Sequence, residues 1–345
     1  MEKFHIVIGC DCDPDRKGFS KNVSNNNFIW DGIEIGIPDF AIARNKFADE
    51  TGYWPKITWF VRSDPQINVI SASDGFCIDK FRNIWVGLKE SGDEIAWHPH
   101  LYYLDKNNSS WIQKIDDSIF TRDCLEEGFN SFKSAWGETP KTVHGGWGYQ
   151  DNTTIKFYSE VGIISDCSAM PGHNTLKIGN FDNSDWTGTE TKPYWISKSN
   201  YKSSAQNKSD STGVLEIPTS MGKSLIATNL KIFRDQIKRG FYMPNKIAFT
   251  YQVPLMTLNP FINKGLIKNA IKTAINQENN YFLTYFHADE FLPSKSKSNF
   301  IKMTYSLESF MSNMKYLTDI IRERNFEPSF ETLTSYTNIF KNNFD

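Results

Sequence analysis

Short apolar runs rich in β-branched and aromatic residues alternate along the chain with longer amphipathic stretches. The runs predict strands at 4–10, 57–62, 93–98, 142–144, 162–166, 214–217, 247–253 and 281–287. The stretches between them predict helices at 38–51, 75–90, 121–136, 150–160, 263–277 and 305–324. This alternation is typical of βα units around a mainly parallel sheet, and it predicts an α/β fold in the form of a closed or nearly closed barrel.

One connection is much longer than the others. Residues 183–213 are polar and rich in Gly, Ser, Asn and Lys, and they exceed the length of an ordinary loop. The segment also contains more aromatic side chains than a solvated loop needs, among them Trp186. We therefore expect a functional lid or a mobile insertion.

Composition and charge argue against two classes of partner. The chain has 38 basic and 40 acidic residues and a formal net charge of −2, so no basic surplus attracts nucleic acid. No stretch approaches the run of about 20 apolar residues that spans a membrane. The five cysteines are scattered, without metal-binding or redox spacing, and the start of the chain lacks a secretion signal. These features predict a soluble cytoplasmic protein with reduced thiols.

Two acidic residues follow the first predicted strand. Asp11 and Asp13 are two positions apart, so strand alternation places both side chains on the same face. Two neighbouring carboxylates repel each other unless a cation or a shared proton lies between them. A bound metal would remove this repulsion, and a solvated acidic turn is the alternative interpretation.

Histidines stand at the ends of two other predicted strands. His98 and His100 end the strand at 93–98, and His287 ends the strand at 281–287. Because α/β sheets and barrels place their sites at the carboxyl ends of strands, we expect these residues to meet. A carboxylate and two imidazoles form a ligand set used by zinc and by non-haem iron. His287 is a candidate acid or base.

Three weaker features lie near the same edge. The segment 144–149 combines glycines, whose amides suit an oxyanion, with Trp147, whose ring suits a sugar face; a glycine-rich turn is the alternative. Asp166 follows a short strand and is a candidate supporting acid. Arg62 follows another strand, and it is expected either to bind substrate or to pair with Asp64.

The order of these elements resembles the polysaccharide deacetylase superfamily, the NodB-like carbohydrate esterases of family four, from about residue 4 to residue 292. Within that superfamily the chain resembles a WbmS-like subgroup tied to bacterial surface-polysaccharide synthesis, including the O-antigen of lipopolysaccharide. The resemblance is carried by the segments 9–15, 92–100, 144–149, 161–172 and 283–290. It implies a distorted (β/α) barrel with fewer than eight regular units over 1–292, and a C-terminal helical extension over 293–345 that packs on it.

The resemblance also implies a chemistry and a set of site residues. The protein would be a metal-dependent hydrolase that removes an N-acetyl or N-formyl group from a nucleotide-linked or lipid-linked amino sugar. One divalent metal ion, with zinc the expected one, would bind Asp13, His98 and His100. Asp11 would act as base and His287 as acid. The residues expected at the oxyanion or the substrate are Trp147, His144, Arg62, Asp166 and Trp186.

The chain departs from the family pattern at three points. Cys12 separates Asp11 from Asp13, so which of the two is base and which is ligand stays open. The family histidines are four apart, whereas His98 and His100 are two apart, and His144 stands where an arginine usually orients the base. These departures leave two alternatives: a catalytically silent carbohydrate-binding module or scaffold, and an iron-dependent reaction with oxygen.

Overall fold

The computed structural model describes residues 1–16, 28–105, 107, 110–113, 117–172, 184–220, 260–261, 264–295 and 304–342. Its strands are β1 (Glu2–Cys12), β2 (Thr58–Arg62), β3 (Glu94–His98), β4 (Tyr102–Asp105), β5 (Ser110–Gln113), β6 (Thr142–Val143), β7 (Ser165–Asp166), β8 (Tyr194–Ser197), β9 (Ser211–Glu216), β10 (Tyr281–His287), β11 (Ser294–Lys295), β12 (Thr304–Tyr305) and β13 (Phe326–Glu331). Its helices are α1 (Ile37–Thr51), α2 (Pro65–Ser71), α3 (Phe76–Lys80), α4 (Arg82–Glu90), α5 (Ser118–Trp136), α6 (Asn152–Val161), α7 (Lys264–Asn276), α8 (Leu307–Arg322) and α9 (Leu333–Asn342).

Most of the predicted elements are present. Seven of the eight predicted strands correspond to β1, β2, β3, β6, β7, β9 and β10, and the eighth, at 247–253, lies outside the described residues. The helix predicted at 75–90 is split into α3 and α4, because the chain leaves the helical conformation at Phe81. The other five predicted helices correspond to α1, α5, α6, α7 and α8.

Nine strands of the described chain form one curved sheet. Eight of them follow the order β10-β1-β2-β3-β6-β7-β9-β8, and β13 also pairs with β1. The neighbours along this order are parallel, apart from β8, which runs antiparallel to β9. Parallel pairing requires crossover connections, and the helices between the strands supply them. The carboxyl ends of the parallel strands therefore share one rim.

The chain after β9 closes the curved sheet onto β10. The Ser220 amide donates to the Leu283 carbonyl at 2.9 Å, and the Leu283 amide donates to the Ser220 hydroxyl at 2.9 Å. The Tyr281 hydroxyl also donates to the Pro218 carbonyl at 2.8 Å. The barrel is thus closed by a loop that hydrogen-bonds to β10, and not by a pair of neighbouring strands. This closure makes the barrel distorted.

The alternation of side chains along the strands separates two apolar clusters. On β1, Ile6 and Ile8 face outward and pack into the larger cluster under the helices, whereas Val7 faces inward. Phe60 and Leu283 join Val7 in the smaller cluster, which fills the barrel interior. Because the side-chain period of a strand is two, the inward positions closer to the rim carry the polar residues of the candidate site.

The C-terminal segment adds a strand to the main sheet as well as helices. Strand β13 pairs in parallel with Glu2–Val7, the first half of β1, while β2 pairs with Gly9–Cys12, the second half. The long β1 would otherwise leave its first half unpaired on that side. The sequence gives no strand signal at β13, whose short run contains Pro328 and polar residues. No helix in the described part of the chain has the length and apolar character needed to cross a bilayer.

Candidate metal and catalytic site

The register of the sheet brings four predicted site residues to the rim. Asp11 on β1 is the register partner of His287 on β10, and His98 at the end of β3 is the register partner of Arg62 on β2. Asp13 lies one residue beyond the end of its strand and His100 lies two, on the chain that leaves the rim. Strand pairing therefore brings the four residues on the strands together. The positions of Asp13 and His100 depend instead on the conformation of the loops.

Asp13, His98 and His100 form a compact cluster. His100 Nε2 lies 3.4 Å from Asp13 Oδ1, His98 Nε2 lies 3.5 Å from Asp13 Oδ2, and the two Nε2 atoms are 3.1 Å apart. A tetrahedral zinc ion with bonds of about 2.0–2.1 Å separates its ligand atoms by about 3.4 Å. These separations, measured to the two oxygens of Asp13, are close to the spacing that a tetrahedral ion requires.

Backbone contacts hold both histidines with Nε2 toward Asp13. His98 Nδ1 is 2.6 Å from the carbonyl oxygen of His144, so Nδ1 carries the proton that it donates there and Nε2 is left for a metal. The ring of His100 packs against the backbone of Gly146, where a Cβ atom would lie only 2.4 Å from the ring. Only glycine at position 146 leaves room for the imidazole.

The carboxylate of the cluster is ionised, and its two imidazoles differ in protonation. Burial alone would raise the pKa of Asp13, but His100, His98 and Arg62 hold it well below its ordinary value. Burial disfavours protonation of His98, yet Asp11 and Asp13 raise its pKa to about 9. Burial together with Arg62 lowers the pKa of His100 to about 4, so this imidazole is neutral and able to act as a ligand.

Asp11 belongs to a second contact group. Its carboxylate is buried, and its Oδ1 lies 2.7 Å from Nδ1 of His144. Burial would raise the pKa of Asp11, but His144 and His98 lower it, so the carboxylate is ionised. Asp11, His98 and His144 could also surround a metal ion. Within that group, however, His98 would have to use Nδ1, which already donates to a carbonyl oxygen.

Arg62 lies beneath the cluster, where its side chain is 1% exposed. Its Nη1 donates to Asp13 Oδ1 at 2.8 Å, its Nη2 donates to Gln66 at 2.7 Å, and its Nε donates to Asp64. Asp64 in turn caps α2 by accepting from the amides of Gln66 and Ile67. Of the two expectations for this arginine, the structure favours pairing with Asp64, and it adds the contact with Asp13.

His287 faces the two aspartates from β10. Its Nε2 lies 3.7 Å from Asp13 Oδ2 and 4.0 Å from Asp11 Oδ2, and its side chain is 30% exposed. Its backbone amide donates to Glu290 at 3.1 Å, which fixes the end of the strand. The histidine thus stands between the carboxylates and solvent, where a group that exchanges protons with a substrate needs to be.

Trp147 is the aromatic residue of the glycine-rich loop that reaches the surface. It has a left-handed backbone conformation, with φ of 61°, and it is 37% exposed. Its indole nitrogen donates to the hydroxyl of Tyr102 at 2.7 Å, and the Tyr102 ring stacks on His100 with centroids 4.8 Å apart. Strain of this kind in a residue without a glycine's freedom is found at functional sites. No pattern in the sequence marks Tyr102 as a site residue, although it lies only two positions after His100.

Two predicted substrate residues lie behind the rim. Trp186 is fully buried, and its indole nitrogen donates to the carbonyl of Gly148 at 2.9 Å. Asp166 is also fully buried and accepts from the hydroxyl of Ser168 at 2.6 Å. The side chain of Trp186 therefore supports the loop that carries Trp147, and it presents no surface to a ligand in this conformation.

Two solved structures share the fold. A candidate polysaccharide deacetylase from Mycobacterium smegmatis aligns with a TM-score of 0.52 and 13% identity, over 99% of this chain and 91% of that chain. A candidate glycoside hydrolase/deacetylase from Parabacteroides distasonis aligns with a TM-score of 0.59 and 12% identity, over 99% of this chain and 71% of that chain. No protein-family model and no curated protein matches the sequence. The prediction of a distorted barrel of the polysaccharide deacetylase type is confirmed, and at these identities the likeness is one of fold.

Proposed function

We propose that this protein is a metal-dependent hydrolase that removes an N-acetyl or N-formyl group from an amino sugar. The observation that carries the proposal is that Asp13, His98 and His100 lie within the distances of metal ligands from one another. Asp11 lies beside them and is hydrogen-bonded to a different residue, His144. A metal-dependent deacylase of the proposed kind uses a metal shell and a separate base, and two distinct groups of residues would fill these roles here.

Asp13, His98 and His100 are the residues that would hold the metal. Arg62 uses one oxygen of Asp13, and a carboxylate has enough lone pairs to accept a second partner. The donor set of one carboxylate and two imidazoles suits zinc. When bound, such an ion polarises the acyl carbonyl and lowers the pKa of water towards about 7.

The residues around the metal shell divide the proton transfers between them. Asp11, ionised and held by His144, accepts a proton from the attacking water. The bond between the acyl carbon and the sugar nitrogen then breaks, and His287 gives that nitrogen a proton. The products are a carboxylic acid, acetic or formic, and a free amino sugar. Trp147, half-exposed at the rim, faces the sugar ring or the oxyanion side of the substrate.

The proposed substrate is a nucleotide-linked or lipid-linked precursor of a bacterial surface polysaccharide such as O-antigen. The WbmS-like motifs support this choice, and the five cysteines are all free, as expected for a protein of the cytoplasm. Residues 1–292 would form the catalytic barrel and 293–345 its extension. The segment 183–213 would be an insertion beside the loop of Trp147, since it supplies β8 and the start of β9 to the main sheet.

A metal-free carbohydrate-binding protein is the second candidate. The observation that favours it is the guanidinium of Arg62 on Asp13, since this contact already supplies the carboxylate with a cationic partner. Such a protein would bind a sugar at the same rim without releasing an acid.

Metal content and acid release distinguish the two. The full chain is purified, stripped with a chelator, reloaded with zinc and assayed for acetate or formate from N-acylated amino sugars and their nucleotide conjugates. We expect one zinc ion per chain and turnover that is lost on stripping and in His98→Ala and His100→Ala. Turnover that survives complete removal of metal contradicts the proposal, and sugar binding without zinc or turnover favours the second candidate.

A further inference from the structure

A chain of hydrogen bonds leads from His98 to a buried carboxylate through one peptide group. The carbonyl of His144 accepts from His98 Nδ1 at 2.6 Å. The nitrogen of the same peptide group belongs to Gly145, and it donates to the hydroxyl of Ser168 at 2.7 Å. That hydroxyl donates to Asp166 Oδ1 at 2.6 Å. Each donor and acceptor in this chain is used in the direction that its chemistry allows.

The far end of this chain of hydrogen bonds, at Asp166, is charged and buried. Ser168 and Asp166 are 1% and 0% exposed, and the amide of Ser168 also donates to Asp166 Oδ1. Glu216 is the register partner of Asp166 on the neighbouring strand, and it accepts from the amide of Ala169 at 3.0 Å. Burial and the nearby Asp166 raise the pKa of Glu216 well above its ordinary value, and burial raises the pKa of Asp166 only to about 6, so at pH 7.5 Glu216 holds a proton and Asp166 carries the charge.

We infer that Ser168 and Asp166 are positioning residues for the metal ligand His98, acting on it through the peptide group between His144 and Gly145. This inference rests on the proposed function, because it assigns His98 as a ligand. The hydrogen bond at Gly145 polarises the peptide group, which strengthens the carbonyl as an acceptor for His98 Nδ1–H. A stronger acceptor fixes the tautomer and the ring, and it makes Nε2 a better donor to a metal.

Ser168 and Asp166 would also be needed if they only supported the fold. The zinc affinity must therefore be measured separately from the stability of the protein. Removal of the Ser168 hydroxyl leaves the amide of Gly145 without its partner, which lowers the melting temperature in either case. A purely structural role would leave the zinc affinity of the folded chain unchanged. A positioning role lowers that affinity, because His98 is then less well oriented.

The experiment compares Ser168→Ala with wild type in the full chain. The zinc dissociation constant is measured by competition with a chromogenic chelator, and the melting temperature is measured in excess chelator. We expect Ser168→Ala to weaken zinc binding by about 10–100-fold, the usual effect of removing a group that orients a metal ligand. Ser168→Thr keeps the hydroxyl, and its affinity is expected to stay close to that of the wild type.

Ser165→Ala is the matched control. Ser165 is a fully buried serine on β7, and its hydroxyl accepts a hydrogen bond from Thr337 at 2.9 Å. It takes no part in the chain of hydrogen bonds that leads to His98. We expect this variant to lose stability without losing zinc affinity. The contrast between the two serines separates the loss of a buried hydroxyl from the loss of ligand orientation.

Asp166→Asn provides the second arm and keeps the test decisive if Ser168→Ala does not fold. It preserves shape and one acceptor while removing the charge, so a smaller weakening of zinc binding is expected. The inference fails if wild type binds zinc and both Asp166→Asn and any folded Ser168→Ala bind it equally well. If the wild-type chain itself binds no zinc, the proposed function fails first, and the two results are distinguishable.

Discussion

His144 Nδ1 and Asp11 Oδ1 are 2.7 Å apart, although the two residues are 133 positions apart in the sequence. The ring of His144 is wedged between other aromatic groups, with its centroid 4.7 Å from Tyr285 and 5.4 Å from Phe60. The imidazole is therefore fixed by packing, and it fixes the carboxylate in turn. Asp11, the proposed base, is therefore held by a histidine and not by the arginine of the family pattern.

Substitution of His144 tests whether this contact orients the base. Asn can place a side-chain N–H close to the position of Nδ1, whereas Ala cannot. We expect His144→Ala to lower kcat by about 10²-fold or more, within the range that a positioned base contributes, with a smaller change in KM. His144→Asn should recover much of that loss. Equal activity of the two variants would show that the hydrogen bond is not needed.

Gly146 supports His100 by its lack of a side chain. A Cβ atom there would lie 2.4 Å from the imidazole, and Gly146→Ala is expected to displace the ring and abolish zinc binding. Gly87→Ala is the control, because nothing lies within 4 Å of its Cβ position, and replacing a helical glycine stabilises by about 0.5–1 kcal/mol. The zinc dissociation constant and melting temperature of each variant measure these effects. Normal zinc binding by Gly146→Ala would remove the steric argument.

Arg62 is expected to act on stability more than on substrate affinity. Arg62→Ala leaves Asp64 and Asp13 without their buried partner, and breaking such a pair costs about 3–5 kcal/mol. Lys46→Ala, which removes an exposed pair with Glu50, should cost less than about 1 kcal/mol. Urea denaturation measures both variants. A folded Arg62→Ala chain of unchanged stability and raised KM would instead show that the arginine contacts substrate.

The strand ends could be predicted from sequence because their signals are local. Apolar runs followed by Asp11, His98 and His287 identify three strand ends, and parallel pairing brings such ends to one rim. The fold class followed from the same alternation of strands and helices. Asp13 and His100 are different, because they lie beyond the strands, where side-chain periodicity no longer applies.

The rest of the site depends on contacts that leave no local signal. The pairing of His144 with Asp11 joins distant segments, and the burial of Arg62 depends on the carboxylates that surround it. Trp186 has the composition of a ligand-binding aromatic residue, yet packing under the loop places it inside. Strand β13 forms because β1 offers it an unpaired edge, and a short run around Pro328 gives little indication of that.

Zinc binding should displace a proton from the two histidines. In the metal-free protein the pKa of His98 is raised to about 9 by Asp11 and Asp13 in spite of burial, and the pKa of His100 is lowered to about 4 by burial and Arg62. At pH 7.5 His98 is therefore protonated and His100 neutral. The Nε2–H of His98 then points at His100 Nε2, 3.1 Å away, where the metal would bind.

The sign of the pH dependence follows from these values. Because the pKa of folded His98 lies above its ordinary value of 6.5, its proton stabilises the metal-free fold fully below pH 6.5, and this stabilisation is lost as pH rises through about 9. A metal must displace that proton, so zinc affinity should rise with pH up to about 9. Calorimetric titration at pH 7.5, in two buffers of different ionisation enthalpy, should report close to one proton released for each zinc ion bound. Zinc binding with no proton release at this pH would contradict the charge assignment of the cluster.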